Sequence, residues 1–182
     1  MSEKPMSETT FLKKIEQESG ENVSVCFQCR KCSNGCPVVF AMDNPPHRMM
    51  RMVQMGMKKE LLEGNTIWVC ATCETCATRC PNDIEIATVM DTLRHMYRRD
   101  KVRGKEYKMP IFHQVFLNSI KVTGRVFELG MVAQYKLKTK DYFQDAKLGW
   151  EMFKKGKLKM FPHTVKKMAE IRKIFTESAR KG

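Results

Sequence analysis

No apolar run of this 182-residue chain approaches the roughly 18 residues that a helix needs to span a bilayer. Its first residues, MSEKPMSETT, are polar and lack the apolar core of a secretory signal. The expected location is therefore the cytoplasm, where disulfides are rare. Sustained alternation of apolar and polar residues is missing too, so strands are not expected. No Gly-rich phosphate loop or dinucleotide fingerprint occurs; GRVFELG, residues 124–130, does not qualify. Neither a flavin nor a nicotinamide is expected to bind this chain. The four histidines, His47, His95, His113 and His163, stand at no ligand spacing from any cysteine. Nor is there a cysteine outside two short stretches.

Those stretches are CFQCRKCSNGCPVV, Cys26 to Val39, and CATCETCATRCPND, Cys70 to Asp83. Both read C-x2-C-x2-C-x3-C-P, and the copies begin 44 residues apart. Three chemistries could explain clustered thiols. Disulfide frameworks spread cysteines to staple distant loops, whereas this chain concentrates them in a compartment expected to be reducing. Structural zinc takes two separated pairs, and the third cysteine of each run is a surplus for a tetrahedral ion. Iron–sulfur chemistry leaves nothing over. The spacing matches that of bacterial two-cluster ferredoxins, in which three cysteines hold one cluster and the fourth ligates the other. On that pattern Cys26, Cys29, Cys32 and Cys80 hold one 4Fe–4S cluster, and Cys70, Cys73, Cys76 and Cys36 hold a second. Pro37 and Pro81 end the loops with fixed φ and no N–H to satisfy, which helps turn the fourth cysteine; ordinary turn punctuation accounts for them equally well.

The rest of the chain reads as helices. Residues 1–22 are polar with an apolar patch at Phe11, Leu12 and Ile15, and a loose segment or one short helix is expected there. A helix is expected over 43–64, capped by Asp43 or Asn44, with Pro45 or Pro46 in its first turn and Gly64 as its stop. Met49, Met50, Val53, Met57 and Leu61 recur along it at helical spacing. Another helix should start near Asp83, with Ile86, Val89, Met90, Leu93 and Tyr97 on one face. It fades into RRDKVRGKEYK, residues 98–108, where the domain boundary is expected. Four further helices are expected: Pro110 to about Val122, a short one around 126–133, 141–155, and 164–179 with Val165, Met168, Ile171 and Phe175 as its stripe. In sum, the sequence predicts an all-α protein with an N-terminal segment (1–22), a two-cluster ferredoxin-like domain (23–103) and a basic helical extension (104–182). Thirty-three residues separate Cys36 from Cys70 and contain a strong helix, which favours the α-helical type of two-cluster ferredoxin over the β-rich one.

Charge is divided unequally. Residues 1–100 hold 13 Lys+Arg and 13 Asp+Glu, whereas 101–182 hold 20 and 7, so the formal +13 lies in the second part. Such a region suits docking on other subunits, with apolar stripes against a partner and lysines facing water or acid. Nucleic acid is the competing partner, but no recognised reader motif accompanies the charge. Arg30, Lys31 and Arg79 lie inside the cysteine loops. They either raise a cluster potential by stabilising its reduced form or are simply solvated. The Met-rich helix either packs on the clusters, where apolar cover tunes potential, or offers an adaptable groove.

The segments NPPHRMMRMVQMGMKKELL and TIWVCATCETCATRCPNDIEIATVMDTLR closely resemble the core of the C-subunit family of soluble heterodisulfide reductases from methanogenic archaea. The likeness is strong from about Val23 to Arg99 and weaker beyond. The fused B/C-type subunit of the membrane-linked enzyme, and iron–sulfur subunits of succinate dehydrogenase and of glycolate-oxidase type, share the cysteine pattern but are less similar in the stretch between the runs. What the resemblance implies is an electron relay in methanogenesis with no catalytic residue of its own. In that family a flavoprotein A subunit bifurcates electron pairs, and a cysteine-rich B subunit cleaves the disulfide of coenzyme M and coenzyme B. Electrons arrive ultimately from a hydrogenase or a formate dehydrogenase. The alternatives are a relay for another flavoprotein dehydrogenase, or a cluster-bearing nucleic-acid binder.

Overall fold

A computed structural model describes residues 8–140, 154–155 and 164–181. The chain divides into two compact units, Met1–Tyr107 and Lys108–Gly182. Among the described residues every regular element is helical, and no helix is long and apolar enough to cross a membrane.

In the first unit, α1 (Glu8–Ser19), α3 (Pro46–Gln54), α4 (Lys58–Glu63) and α7 (Ile86–Arg99) supply the core. Short helices carry the rest: α2 (Lys31–Asn34), α5 (Thr66–Val69) and α6 (Thr75–Thr78), with 3-10 turns at Val23–Val25 and Val39–Ala41. The expected stripe of α7 is the buried face: Ile86, Val89, Met90, Leu93 and Tyr97 are all inside. That face meets α1, α4, α5 and α6, and α3 closes the core from the α1 side. Phe11 and Ile15 from α1, Met49, Met50 and Val53 from α3, and Leu61 and Leu62 from α4 are buried with it. Each such side chain contributes roughly 1.5–3 kcal/mol by leaving water. Trp68 meets Tyr97 edge to face, with ring centroids 5.1 Å apart.

The single helix expected over 43–64 is two. Gly56 adopts φ +69°, a left-handed conformation that costs glycine little and any other residue about 1–2 kcal/mol. Around it the Gly56 amide donates to Val53 and the Met57 amide to Met52, which is the double bond pattern that terminates a helix. The expected cap also differs. Pro45 precedes the first turn without a side-chain cap. Asp43 and Asn65 instead exchange backbone-to-side-chain bonds of 2.9 and 3.1 Å, tying the start of α3 to the start of α5. The later helix begins at Ile86 rather than near Asp83, which sits in a turn at φ +51°.

Residues 104–107 remain with the first unit because the Lys105 amide donates to Glu63 O at 3.1 Å and the Gly104 amide to Tyr97 Oη at 3.1 Å. Gly104 lies so close that an added Cβ would meet Glu63 O at 3.0 Å and Leu62 O at 3.1 Å.

The second unit contains α8 (Lys108–Thr123), α9 (Glu128–Thr139) and α10 (Met168–Lys181), with α9 and α10 each packed on α8. Gly124, at φ +79°, ends α8 where expected. Helix α9 runs to Thr139 instead of stopping near Ala133, since Tyr135 packs edge to face on Phe112 of α8 at 6.0 Å. The expected helix at 141–155 lies outside the described residues apart from 154–155, as do His163 and residues 1–7 of the N-terminal segment. Among the described residues of this unit Val115 is the buried apolar side chain, while Val122, Leu137 and Ile174 are each about two-thirds exposed, at 67%, 65% and 64%.

Candidate metal centre

The two cysteine loops fold alike, residue for residue, at the 44-residue offset. Cys26 and Cys70 are extended, at φ −68°, ψ 112° and φ −58°, ψ 118°. Gln28 and Thr72 are left-handed at φ 61° and 49°, and Arg30 and Glu74 again at 65° and 58°. Helices α2 and α6 then occupy equivalent positions, closed by Gly35 (φ −99°, ψ −5°) and Arg79 (φ −100°, ψ −6°). None of the four left-handed residues is glycine, so each costs on the order of 1 kcal/mol or more. Strain of this kind persists where the surroundings over-determine it, and it clusters at functional sites. Alternating hands of backbone also turn successive N–H groups to one side, forming the anion-binding nests found around iron–sulfur clusters.

The repeat positions meet each other. Helices α2 and α6 pack together, and Gly35 faces its own equivalent, Arg79. A Cβ on Gly35 would come to 2.5 Å from Arg79 Cδ and 2.7 Å from Nε. Only glycine lets that stem lie so close.

The thiols fall into groups. Cys36, Cys70, Cys73 and Cys76 line one recess. Its other walls include Val38, Met42, Pro46, Ile86 and Met90. Burial pushes the Cys70 thiol up, with smaller pushes from the charges of Cys36 and Cys73. Burial drives Cys76 further, to about 11, reinforced by Cys70 and then Cys32. Cys73, at the open side, is held below the usual thiol range by the Thr75 hydroxyl, 3.4 Å away. In the first loop Cys32 is raised by burial and, to a lesser extent, by Cys26 and Cys29. Cys80 belongs to a segment that runs back to the first loop. Asn82 Nδ2 donates to the Val25 carbonyl, and the Glu85 amide donates to Glu21 Oε2 at 2.8 Å.

None of the eight cysteines is disulfide-bonded. No three Cys, His, Asp or Glu side chains among the described residues converge on a single-ion site. Crowded, partly buried thiols of this kind are acidified only when a metal takes the place of their protons, and soft thiolates favour iron–sulfur clusters. The residues present fit such clusters.

Partners that sequence reasoning missed surround the loops. Gln28 Nε2 donates to Cys26 Sγ at 3.3 Å. Ser33, buried beside Cys32, lies 2.7 Å from His47 Nδ1, and its oxygen accepts from the His47 amide at 3.0 Å. Burial, then the charges of Arg30 and Arg48, hold His47 below the usual imidazole range. Arg94 donates to the Ile67 and Cys70 carbonyls while pairing with Asp91 at 2.6 Å. Of these, Gln28 and Ser33 lie inside a cysteine run; His47 and Arg94 are brought there by folding.

Residues 25–85 match the 4Fe-4S dicluster domain family. With eight cysteines in matching loops, this domain fits two 4Fe–4S clusters. Over about half its length the chain is similar to the C subunits of heterodisulfide reductases from methanogens. The C subunit of the H(2):CoB-CoM heterodisulfide,ferredoxin reductase of Methanothermobacter marburgensis is 32% identical over 85 residues, 47% of this chain and 46% of that one. An iron–sulfur C subunit of the CoB-CoM heterodisulfide reductase of Methanocaldococcus jannaschii is 33% identical over 76 residues, 42% and 40% of the two chains. A protein of Archaeoglobus profundus, named as like the C subunit of heterodisulfide reductase, is 27% identical over 93 residues, 50% and 48%. The chain thus spans about half the length of the curated relatives it matches.

Proposed function

We propose that this chain is the electron-carrying iron–sulfur subunit of a heterodisulfide reductase. Cys26, Cys29, Cys32 and Cys80 hold one cluster; Cys70, Cys73, Cys76 and Cys36 hold the other. The observation that carries the reading is the recess in which Cys36 joins the three cysteines of the other loop. A 4Fe–4S cluster supplies one-electron transfer when bound. The protein's own residues do the rest. The left-handed positions shape each loop, Cys36 and Cys80 tie the loops to one another, and the apolar faces of α3 and α7 exclude water from behind them. Asn65 donates to the Ala41 carbonyl and Asn82 to the Val25 carbonyl, so each ties the end of one loop to the start of the other.

The relay is proposed to run between a flavoprotein A subunit and the disulfide-cleaving B subunit, in the cytoplasm, with a hydrogenase or formate dehydrogenase upstream. The similarity to proteins so named supports it. So does the second unit, with apolar side chains on its surface and an excess of lysine, which suits docking. Anaerobic purification of the complex from its source cells tests this. The expected eluate contains a flavoprotein and a cysteine-rich subunit and reduces the coenzyme M–coenzyme B disulfide. An intact, iron-replete complex without that activity would move the chain to another flavoprotein dehydrogenase.

A further inference from the structure

We propose that the side chains which break the 44-residue repeat hold the two cluster sites at different reduction potentials. The site of Cys26, Cys29, Cys32 and Cys80 is the higher, and that of Cys70, Cys73, Cys76 and Cys36 the lower. This rests on the ligand assignment proposed above.

The repeat isolates the side chains as the source of any difference. Because the two loops share their backbone angles, the dipoles of the loops themselves act alike on their own cysteines and drop out. At equivalent positions the first loop carries Arg30 and Lys31, and the second carries Glu74 and Thr75. All but Thr75 are exposed. Within the loops this is two positive charges against one negative. Positive charge beside a cluster stabilises the added electron and negative charge opposes it. Arg79 is shared: it precedes Cys80 of the first site, while its stem lies against Gly35, the neighbour of Cys36 of the second.

One feature pulls the other way: Arg94 sits at the Cys70 carbonyl, on the second side, and its charge acts on Cys70, reduced by its pairing with Asp91 at 2.6 Å. Side-chain contacts to sulfur lean to the first site, with Gln28 on Cys26 at 3.3 Å and the Ser33 hydroxyl 4.0 Å from Cys32, against Thr75 on Cys73 at 3.4 Å. The walls then side with the charges. Val38 lines the second recess, and its equivalent 44 residues on is Asn82. An apolar wall disfavours adding negative charge. Charge and wall therefore agree in sign. When one electron is shared, the second site is oxidised and the first reduced; no bond changes and no proton is needed. The first site is where an electron rests.

The test is an anaerobic redox titration of the full-length, cluster-loaded protein, followed by electron paramagnetic resonance. The variants are Arg30→Gln with Lys31→Gln, and separately Glu74→Gln. None of these residues is a ligand. The double variant should cut the reduced-to-oxidised ratio of the higher-potential site about tenfold at a fixed potential, about 59 mV for one electron. It should leave the other site unmoved. Glu74→Gln should raise only the lower one. If the double variant moves the lower-potential site, or neither, the proposal is overturned while the cluster reading stands. A wild-type protein with clearly fewer than about eight irons overturns the ligand reading, and this inference with it.

Discussion

Exchanging Cys36 for serine separates a crossed pair of sites from two self-contained loops. Cys36 belongs by sequence to the loop of Cys26, Cys29 and Cys32, yet it lines the recess of Cys70, Cys73 and Cys76. Cys36→Ser should therefore abolish the same spectroscopic signal as Cys73→Ser. Cys80→Ser should abolish the same one as Cys29→Ser. The loss should be large. Cys76, pushed to about 11, keeps its proton near neutral pH, so a bound cluster must offset the cost of removing it. With three thiolates in place of four, less binding energy is left to meet that cost. Iron should fall from about eight to about four per chain. The assay is anaerobic reconstitution, iron and sulfide analysis, and electron paramagnetic resonance of the reduced protein. If Cys36→Ser removed the signal that Cys29→Ser removes, each loop would hold its own cluster with all four cysteines, and the crossed assignment would be wrong.

Gly56→Ala places a side chain at φ +69° and should cost about 1–2 kcal/mol, read as a lower urea midpoint under anaerobic conditions; an unchanged midpoint would mean that α3 and α4 do not need that turn. Leu93→Ala, at a side chain fully buried in α7, should cost about 2–5 kcal/mol in the same assay, and a loss under about 1 kcal/mol would contradict a packed core there. His47 has a depressed pKa, so the unfolded chain binds its proton first as pH falls. The stabilising share of His47 is complete above about 6.5 and is lost as pH drops through the lower folded value. His47→Gln should flatten the acid side of the thermal-midpoint curve relative to wild type, and parallel curves would refute this.

Periodicity made the helices legible because burial in this fold follows single helical faces, as α7 shows. The cysteine spacing exposed the cluster loops because each thiol must reach a defined point on a compact object, which leaves little freedom in sequence separation. What escaped were effects with no local signature. Gly56 has the same hydrophobic neighbours as any helical position, and only its φ ends the helix. Asp43 looks like a helix cap, but a better partner, Asn65, reaches it from 22 residues away. Gly35 reads as loop punctuation until Arg79 is seen lying across it. Ser33 and His47 are 14 residues apart with no motif between them, and the packing of α2 on α3 brings them together.

The repeat divides two tasks between different parts of the chain. Matching backbone angles at Cys26 and Cys70, at Gln28 and Thr72, at Arg30 and Glu74, and at Gly35 and Arg79 fix the shape of each loop. These angles depend little on which side chain is carried, as an arginine and a glutamate share one left-handed conformation. Side chains at the same positions are then free to differ in charge without moving a ligand. Arg30 and Glu74 point their charges into solvent from loops of the same form, so each site can be tuned by substitution while the other is untouched. Gly35 is the exception: it sits where the two copies meet, and there the copies cannot both carry a long side chain. Asymmetry at that contact is imposed by packing. The asymmetry in charge elsewhere is not forced by space, and so it answers to electron energy instead.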